Sequence, residues 1–357
     1  MNKEPALVIL SPGFPADESD TTCLPAQQHL ARQLRLLFPG IHLIILALQY
    51  PYRRKPYLWN NVSIMPFGGR NRPGPMRVLT WWRARKKLHQ LHRSFHIIGV
   101  LSWWYGECAH VGHRFAKHRN IPHYTWLFGQ DARKGNRYAN FLRLPADRII
   151  ALSEFLAAEF QRNYKIRPAH IIHMGIDTSL YPPADSERNI DLLAVGSLIP
   201  LKRYELFIRL VQALSVKQPS LRAVLCGSGE QHEMLAGMVQ AAGLQDRVVL
   251  TGELPYAQVL ACMQRSRLFI HPSSYEGFGM VCLEALNAGA TVISFCNPAE
   301  TPIPHWYVVS DLPEMIALSE KLLRDTQQAF TPVLPYTIAD TARSVMQLFH
   351  QSDAEIS

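Results

Sequence analysis

The sequence has no long hydrophobic run. Its longest, Ile41 to Leu48, is broken by His42 and is far too short to cross a bilayer. The start, MNKEPALVILSPGFP, lacks a charged stretch followed by a long apolar one, so no signal peptide is expected. The six cysteines contain no CxxC pair, which fits reduced thiols in a cytoplasmic enzyme better than a disulfide framework. There is no Walker loop, no G-x-S-x-G elbow and no complete dinucleotide fingerprint, so nucleotide hydrolysis, serine-hydrolase and nicotinamide chemistry are poor fits.

Acidic residues are missing over a long stretch. None lies between Asp20 and Glu107, where 13 Lys and Arg fall. Residues 1–183 hold 25 Lys and Arg against 10 Asp and Glu, a balance of +15, and residues 184–357 hold 12 against 18, a balance of −6. Aromatics such as Tyr52, Trp59, Phe67, Trp81 and Trp82 are mixed into the basic stretch. Such a surface attracts polyanions, and an anionic membrane face or a phosphorylated glycan suits it better than nucleic acid, since no nucleic-acid-binding signature accompanies the charge. The plainer reading is a solvated basic face.

The chain has 357 residues with 48% hydrophobic and 18% charged, enough for about two domains with real cores. In the second half, short apolar runs alternate with helical spacing. Strands are expected at Ile190–Val195, Arg222–Cys226, Val248–Leu250, Leu268–His271 and Thr291–Phe295, with helices between them. In the first half, strands are expected at Ala6–Leu10, Ile41–Leu48, Phe95–Leu101, His123–Leu127, Arg148–Leu152 and His170–Ile172. Helices fill 24–37, 80–92, 105–118 and 153–163, while 50–79 reads as a long loop. This alternation predicts an α/β architecture of two doubly wound parallel-sheet domains, 1–183 and 184–335, joined at Tyr181–Asp185 and facing a cleft. A last helical segment, 336–357, follows Pro335 with no readable docking site.

The chemistry-bearing residues gather in the second half. In His271–Gly289, Glu276 lies in the loop after a strand and Glu284 lies about a turn and a half into the next helix. At 1.5 Å per residue the carboxylates stand more than ~8 Å apart, too far to share a proton or a metal but suited to a long ligand touched twice. Gly277 and Gly279 allow close backbone approach, and helix-start amides at Phe278-Gly279 favour a phosphate. A phosphate between two sugars fits that spacing, whereas the bland alternative is a loop that caps a helix. Lys202, after Gly196-Ser197, can point at a phosphate, and Arg203 stands next to it. Gly227-Ser228-Gly229 and Gly13 also end strands where a phosphate could approach. Glu107, Cys108, His110 and His113 could share a helix face, but 15 histidines produce such spacings by chance, and no metal is expected.

These motifs resemble the family 4 retaining glycosyltransferases of the GT-B fold. The resemblance rests on Glu276 and Glu284 with their EGFG lead-in, the loop Gly196–Lys202, Gly227–Gly229 and TGELP at 251–255. Weaker echoes are SPGFP at 11–15, Ala151–Phe155 and Met174–Asp177. The resemblance implies that Glu276 holds hydroxyls of the transferred sugar, Glu284 holds the nucleotide ribose, and Lys202 with amides near Gly13 and Phe278-Gly279 neutralises the diphosphate. Ser197 stands where the family usually has Arg, with Arg203 as a substitute, and Phe128 stands where the family often has His. Gln130, Asp131 and Glu107 remain as acceptor-side candidates. The implied activity is metal-independent transfer of a sugar from a nucleotide-sugar to a glycan or lipid-linked acceptor, in polysaccharide or glycolipid synthesis, without a further cofactor. The absence of any D-x-D triplet agrees with independence from metal. A nucleotide-sugar epimerase or phosphorylase, or an idle nucleotide-sugar-binding subunit, are the alternatives. The expected location is cytoplasmic, with peripheral contact at the inner membrane face.

Overall fold

The computed structural model describes residues 3–183, 187–296, 301–325 and 330–354. It divides into two compact units, Met1–Asp177 with Tyr336–Ser357, and Thr178–Pro335. The division falls a few residues before the Tyr181–Asp185 linker, and Ala184 and Asp185 lie outside the described residues.

In the first unit, β1 (Pro5–Gly13), α1 (Pro25–Leu37), β2 (His42–Tyr50), β3 (Tyr57–Trp59) and β4 (Val62–Pro66) are followed by α2 (Pro75–Ser94) and β5 (His96–Trp103). Then come α3 (Glu107–Arg119), β6 (His123–Leu127), α4 (Arg137–Leu142), β7 (Ile149–Ala151), α5 (Glu154–Tyr164) and β8 (His170–Ile171). Among the described residues these strands form one sheet in the order β3-β4-β2-β1-β5-β6-β7-β8, parallel except for the β3–β4 hairpin. The central strands are apolar on both faces because helices cover both. Leu7, Val8, Ile9 and Leu10 of β1 are fully or almost fully buried. On one face Ala84, Leu88 and Leu91 of α2 and Val111 and Phe115 of α3 pack against Val8, Leu46 and Val100.

The stretch 50–79 is not the loop its composition suggests. It contains β3 and β4 and the first turns of α2. Asn60 and Asn61 both take positive φ, 44° and 61°, the two-residue turn that matches the twist of a hairpin. Pro75 opens α2 at a position whose N–H has no helical partner to lose.

In the second unit, β9 (Ile190–Val195), α6 (Tyr204–Ser215), β10 (Ala223–Cys226), α7 (His232–Ala241) and β11 (Val248–Gly252) lead to α8 (Tyr256–Gln264) and β12 (Ser266–His271). Next come α9 (Met280–Asn287), β13 (Thr291–Ser294), β14 (Trp306–Val308) and α10 (Leu312–Arg324). The described strands form a parallel sheet in the order β11-β10-β9-β12-β13-β14. Its order reverses at β9, which lies between β10 and β12, so the loops after these three strands emerge side by side.

The closing helix α11 (Ile338–Ala354) belongs to the first unit. It packs along α1, and Tyr124 Oη donates to the Leu348 carbonyl at 3.2 Å. Gly99 on β5 makes room for it, because a Cβ there would lie 2.1 Å from the Phe349 ring. Gly175 does the same for the Thr337 backbone, which would lie 2.0 Å from a Cβ. This docking is not legible in the sequence, since the closest approaches are made at Gly99 and Gly175, which have no side chain to mark them.

Candidate functional site

The site of the second unit is assembled from the three loops at its switch point. After β9 the chain passes Gly196, Ser197 and a short 3-10 turn, Pro200–Lys202, before α6. After β10 it passes Gly227, Ser228 and Gly229. The two loops are bonded through Gly196 N to Cys226 O (3.0 Å) and Leu198 N to Ser228 O (2.8 Å). Gly227 has φ +148° and its Cβ would meet the Gly196 carbonyl at 1.9 Å, so glycine there serves the contact between loops, whatever ligand it also meets. The loop after β12 is tied to the first by Ser274 N and Ser273 Oγ, which both donate to the Leu201 carbonyl, at 3.1 and 3.4 Å.

These ties bring Lys202 and Glu276 together across 74 residues of chain. Lys202 Nζ donates to Glu276 Oε1, and His271 Nε2 donates to the same oxygen at 2.9 Å. The side chains of Lys202 and Glu276 are 19% and 16% exposed, and that of His271 only 1%. Among the described residues no hydrogen bond is made to Glu276 Oε2. Burial would raise the Glu276 carboxyl, but the His271 hydrogen bond and the Lys202 ammonium together bring it down to about 2. Burial pushes His271 below its ordinary value, so its imidazole is neutral and Nε2 keeps its hydrogen. Glu276 is thus an anion at every physiological pH, fixed through one oxygen.

Glu284 has a different environment. It faces inward from α9, 8% exposed, and its Oε1 accepts from Tyr256 Oη at 2.9 Å. Tyr181 Oη donates to its backbone carbonyl at 2.9 Å. Burial, only partly offset by the Tyr256 bond, pushes the Glu284 carboxyl up to about 7. The helix it sits on starts at Gly279, whose φ of +74° favours glycine and which has the Trp306 ring 3.1 Å from its Cβ position. Among the described residues no side chain caps this helix start. Gly277 and Phe278 precede it, both buried. Ser197 is exposed, and the Arg203 guanidinium lies 5.3 Å from the Phe295 ring centroid.

The remaining candidates lie in the first unit. Gly13 ends β1 in ordinary extended geometry, with Tyr50 Cβ 3.4 Å from its Cβ position. Gln130 is exposed in a 3-10 turn. Asp131 accepts from the backbone amides of Tyr105 (2.9 Å), Phe128 (3.0 Å) and Gly129 (2.8 Å), so both its oxygens already hold the loop after β6. Glu107 takes Gln49 Nε2 on one oxygen at 2.5 Å and Trp81 Nε1 on the other at 2.8 Å, tying α3 to β2 and α2. Trp103 is fully buried, whereas the Trp104 ring packs tilted against Phe128, with centroids 4.6 Å apart. Among the described residues no three His, Cys, Asp or Glu are placed to hold a metal ion.

Two site residues escape the sequence reading. His271 opens the glutamate motif, but a histidine closing an apolar strand reads as core. Tyr256 follows Pro255 at a helix start, and nothing in its spacing links it to Glu284.

The chain matches the glycosyl transferases group 1 over residues 182–301 and the Glycosyltransferase Family 4 over residues 28–180. It therefore belongs to the group 1, family 4 glycosyltransferases, one matched region in each half. It is 32% identical over 113 residues to the phosphatidylinositol N-acetylglucosaminyltransferase gpi3 subunit of Schizosaccharomyces pombe, covering 32% of this chain and 25% of that one. The first curated relatives are matched over only 25–30% of their length. Among solved structures it resembles the sucrose-phosphate synthase of Thermosynechococcus elongatus, with TM-score 0.75, 16% identity and coverage of 99% of this chain and 100% of that one. It also resembles the Anabaena protein HepE, solved with UDP and glucose, with TM-score 0.67, 17% identity and coverage of 98% and 99%. The fold is GT-B. No described helix is long and apolar enough to cross a membrane.

Proposed function

We propose that the protein transfers a sugar from a nucleotide-sugar to a glycan or a lipid-linked acceptor, with retention of anomeric configuration and without a metal ion or further cofactor. The observation that carries this reading is the Lys202–Glu276–His271 cluster at the switch point, with Glu284 on the helix that follows it. An anionic carboxylate held through one oxygen suits sugar hydroxyls, and an ammonium beside it suits a diphosphate that gains charge as it departs. When donor arrives, Lys202 turns from Glu276 to the diphosphate while His271 keeps Oε1 in place. The bond from the sugar carbon to the diphosphate oxygen breaks, and a bond to the acceptor oxygen forms on the same face. The acceptor proton passes to the departing phosphate oxygen, so no separate base is needed. The first amides of α9 add stabilisation to the leaving group. Glu284 and Tyr256 would meet the ribose. Gly13 and Gln130 remain candidates on the first unit, whereas Asp131 and Glu107 have both oxygens engaged and drop out, and polysaccharide or glycolipid synthesis in the cytoplasm is the setting this reading fits.

The support from relatives is of two kinds: HepE is solved with UDP and glucose, and the Schizosaccharomyces pombe relative is named as part of a phosphatidylinositol N-acetylglucosaminyltransferase. The test is a melting-temperature panel with UDP, GDP, ADP and CMP sugars, since a ligand held at 100 times its Kd adds about 2.7 kcal/mol to stability. The product of the stabilising donor is then examined by NMR for its anomeric configuration. No stabilisation by any donor, or an inverted product, refutes the reading. A second reading, an idle binding subunit, is favoured by exposed Ser197, which supplies no cation beside Lys202. Donor binding with no transfer and no donor turnover would select it, whereas conversion of the donor without acceptor would mark an epimerase or phosphorylase.

A further inference from the structure

The outer surface of the α2–α3 layer is strongly basic. Residues 75–119 carry nine Lys and Arg against one acid, Glu107. That acid is spent inside, on Gln49 and Trp81. Among the described residues no ion pair joins any of the nine cations to a carboxylate. The inner faces of both helices are fixed in the core by Ala84, Leu88, Leu91, Val111 and Phe115, so the charged faces have no alternative but to point outward.

Two surface concavities lie on this layer. One, of about 460 Å³, is lined by Trp82, Arg85, Lys86, His89, Arg93 and Arg119. The other, of about 540 Å³, is lined by His113, Arg114, Lys117 and His118 with Phe141 and Leu142. Neither has an acidic residue in its wall. Each has a large exposed aromatic at its side: Trp82 is 52% exposed and Phe141 is 65% exposed. The Lys86 ammonium stands 5.4 Å from the Trp82 ring centroid. The cations also crowd one another. Besides burial, Arg119, His118 and Arg85 hold His89 below its ordinary pKa, and Lys117 and Arg114 do the same to His113.

We infer that the α2–α3 face docks the protein on an anionic lipid bilayer, with Arg85, Lys86, Arg93, Arg114, Lys117 and Arg119 against the headgroups and Trp82 and Phe141 at headgroup depth. A bilayer is favoured over nucleic acid because the charge is spread over two adjacent helices and is flanked by exposed aromatics, the combination that suits a wide interface of charge and apolar surface. Each basic side chain near such a surface contributes about 1 kcal/mol, and one aromatic ring adds its own apolar area. This deepens the reading above by naming the partner that would present a lipid-linked acceptor, and it rests on that reading only for the acceptor.

The test is flotation of the full chain with vesicles of phosphatidylcholine alone and of phosphatidylcholine with phosphatidylglycerol, at low and high salt, without donor or acceptor. Binding is expected to the anionic vesicles only and to be lost at high salt, where screening shortens the reach of the charges. The triple variant Arg85→Gln, Lys86→Gln, Arg93→Gln should lower the partition coefficient about a hundredfold, from three contributions of about 1 kcal/mol each. Trp82→Ala should lower it severalfold, and Arg222→Gln on the second unit should leave it unchanged. All variants alter partly or fully exposed side chains, and an unchanged melting temperature confirms that each is folded. Equal binding to neutral vesicles, a triple variant that floats like the parent, or binding to duplex DNA but not to vesicles would each overturn the inference. Because no sugar transfer is measured, loss of the donor reading leaves this result standing, and the reverse.

Discussion

Asp131 in the first unit and Glu276 in the second are both carboxylates in loops that follow parallel strands, yet they are used in opposite ways. Three backbone amides converge on Asp131, so its charge is consumed in shaping the loop. Among the described residues Glu276 receives two side-chain donors, both on Oε1, and none on the other oxygen. A carboxylate whose partners are backbone amides is structural, because those amides cannot leave. A carboxylate whose partner is the end of a lysine side chain can exchange that partner for a ligand. The same contrast separates Glu107, closed by Gln49 and Trp81, from Glu284, which Tyr256 holds by a single bond.

The largest effect should fall on activity alone. Glu276→Ala and Lys202→Ala are each expected to lower turnover by about 10²–10³-fold, the range seen when one preorganised charge partner is removed. Each should leave the melting temperature within a few degrees of the parent, and turnover near the parental value would break the comparison. Next is a pH-linked effect on stability. The folded protein keeps a proton on Glu284 that the unfolded chain releases above the ordinary 4.5, so its contribution falls as pH rises from 4.5 to about 7. Above pH 7 the buried anion costs up to about 3 kcal/mol. Glu284→Gln should therefore unfold at higher denaturant than the parent at pH 8 and at the same concentration at pH 4, and an equal difference at both values would refute the assignment.

Asp131→Ala should cost about 2 kcal/mol of stability by leaving part-buried amides unpaired. Chemical denaturation measures it, and an unchanged midpoint would show that these amides reach water. The smallest effect concerns His271 as a positioning residue. His271→Ala should lower kcat about tenfold with little change in donor KM, the pattern of a lost interaction in the transition state. His271→Gln, which can offer an N–H near the place of Nε2, should recover part of the loss. A purely structural role predicts no such recovery and a lowered melting temperature in both variants.

Much of the fold is legible from the chain. The expected strands Ile190–Val195 and His123–Leu127 coincide with the structure, because strands covered on both faces are mostly apolar, here interrupted only by Asp191 in the first and by His123 and Thr125 in the second. The region 50–79 reads as a loop because Pro, Gly and Arg dominate its composition, whereas the informative signal is the pair Asn60-Asn61 between two short apolar runs. In the site, Glu276, Lys202 and Glu284 can be picked out by residue type and position after a strand. The role of His271 cannot, since a histidine that closes an apolar strand gives no sign in the sequence of which side chain its ring will meet.

By itself the amino-acid order determined the alternation of strand and helix, the placing of acids and lysine at strand ends, and the separation of a basic half from an acidic one. These are local or additive properties, set by periodicity and by counting. Only the tertiary structure decided which strands became neighbours, and hence that Lys202 and His271 share one oxygen of Glu276 while Asp131 and Glu107 are closed off. It also decided that Gly99 and Gly175 receive α11. Such pairings join residues far apart in the chain, and their free energy comes from packing and hydrogen-bond geometry that no spacing along the sequence encodes.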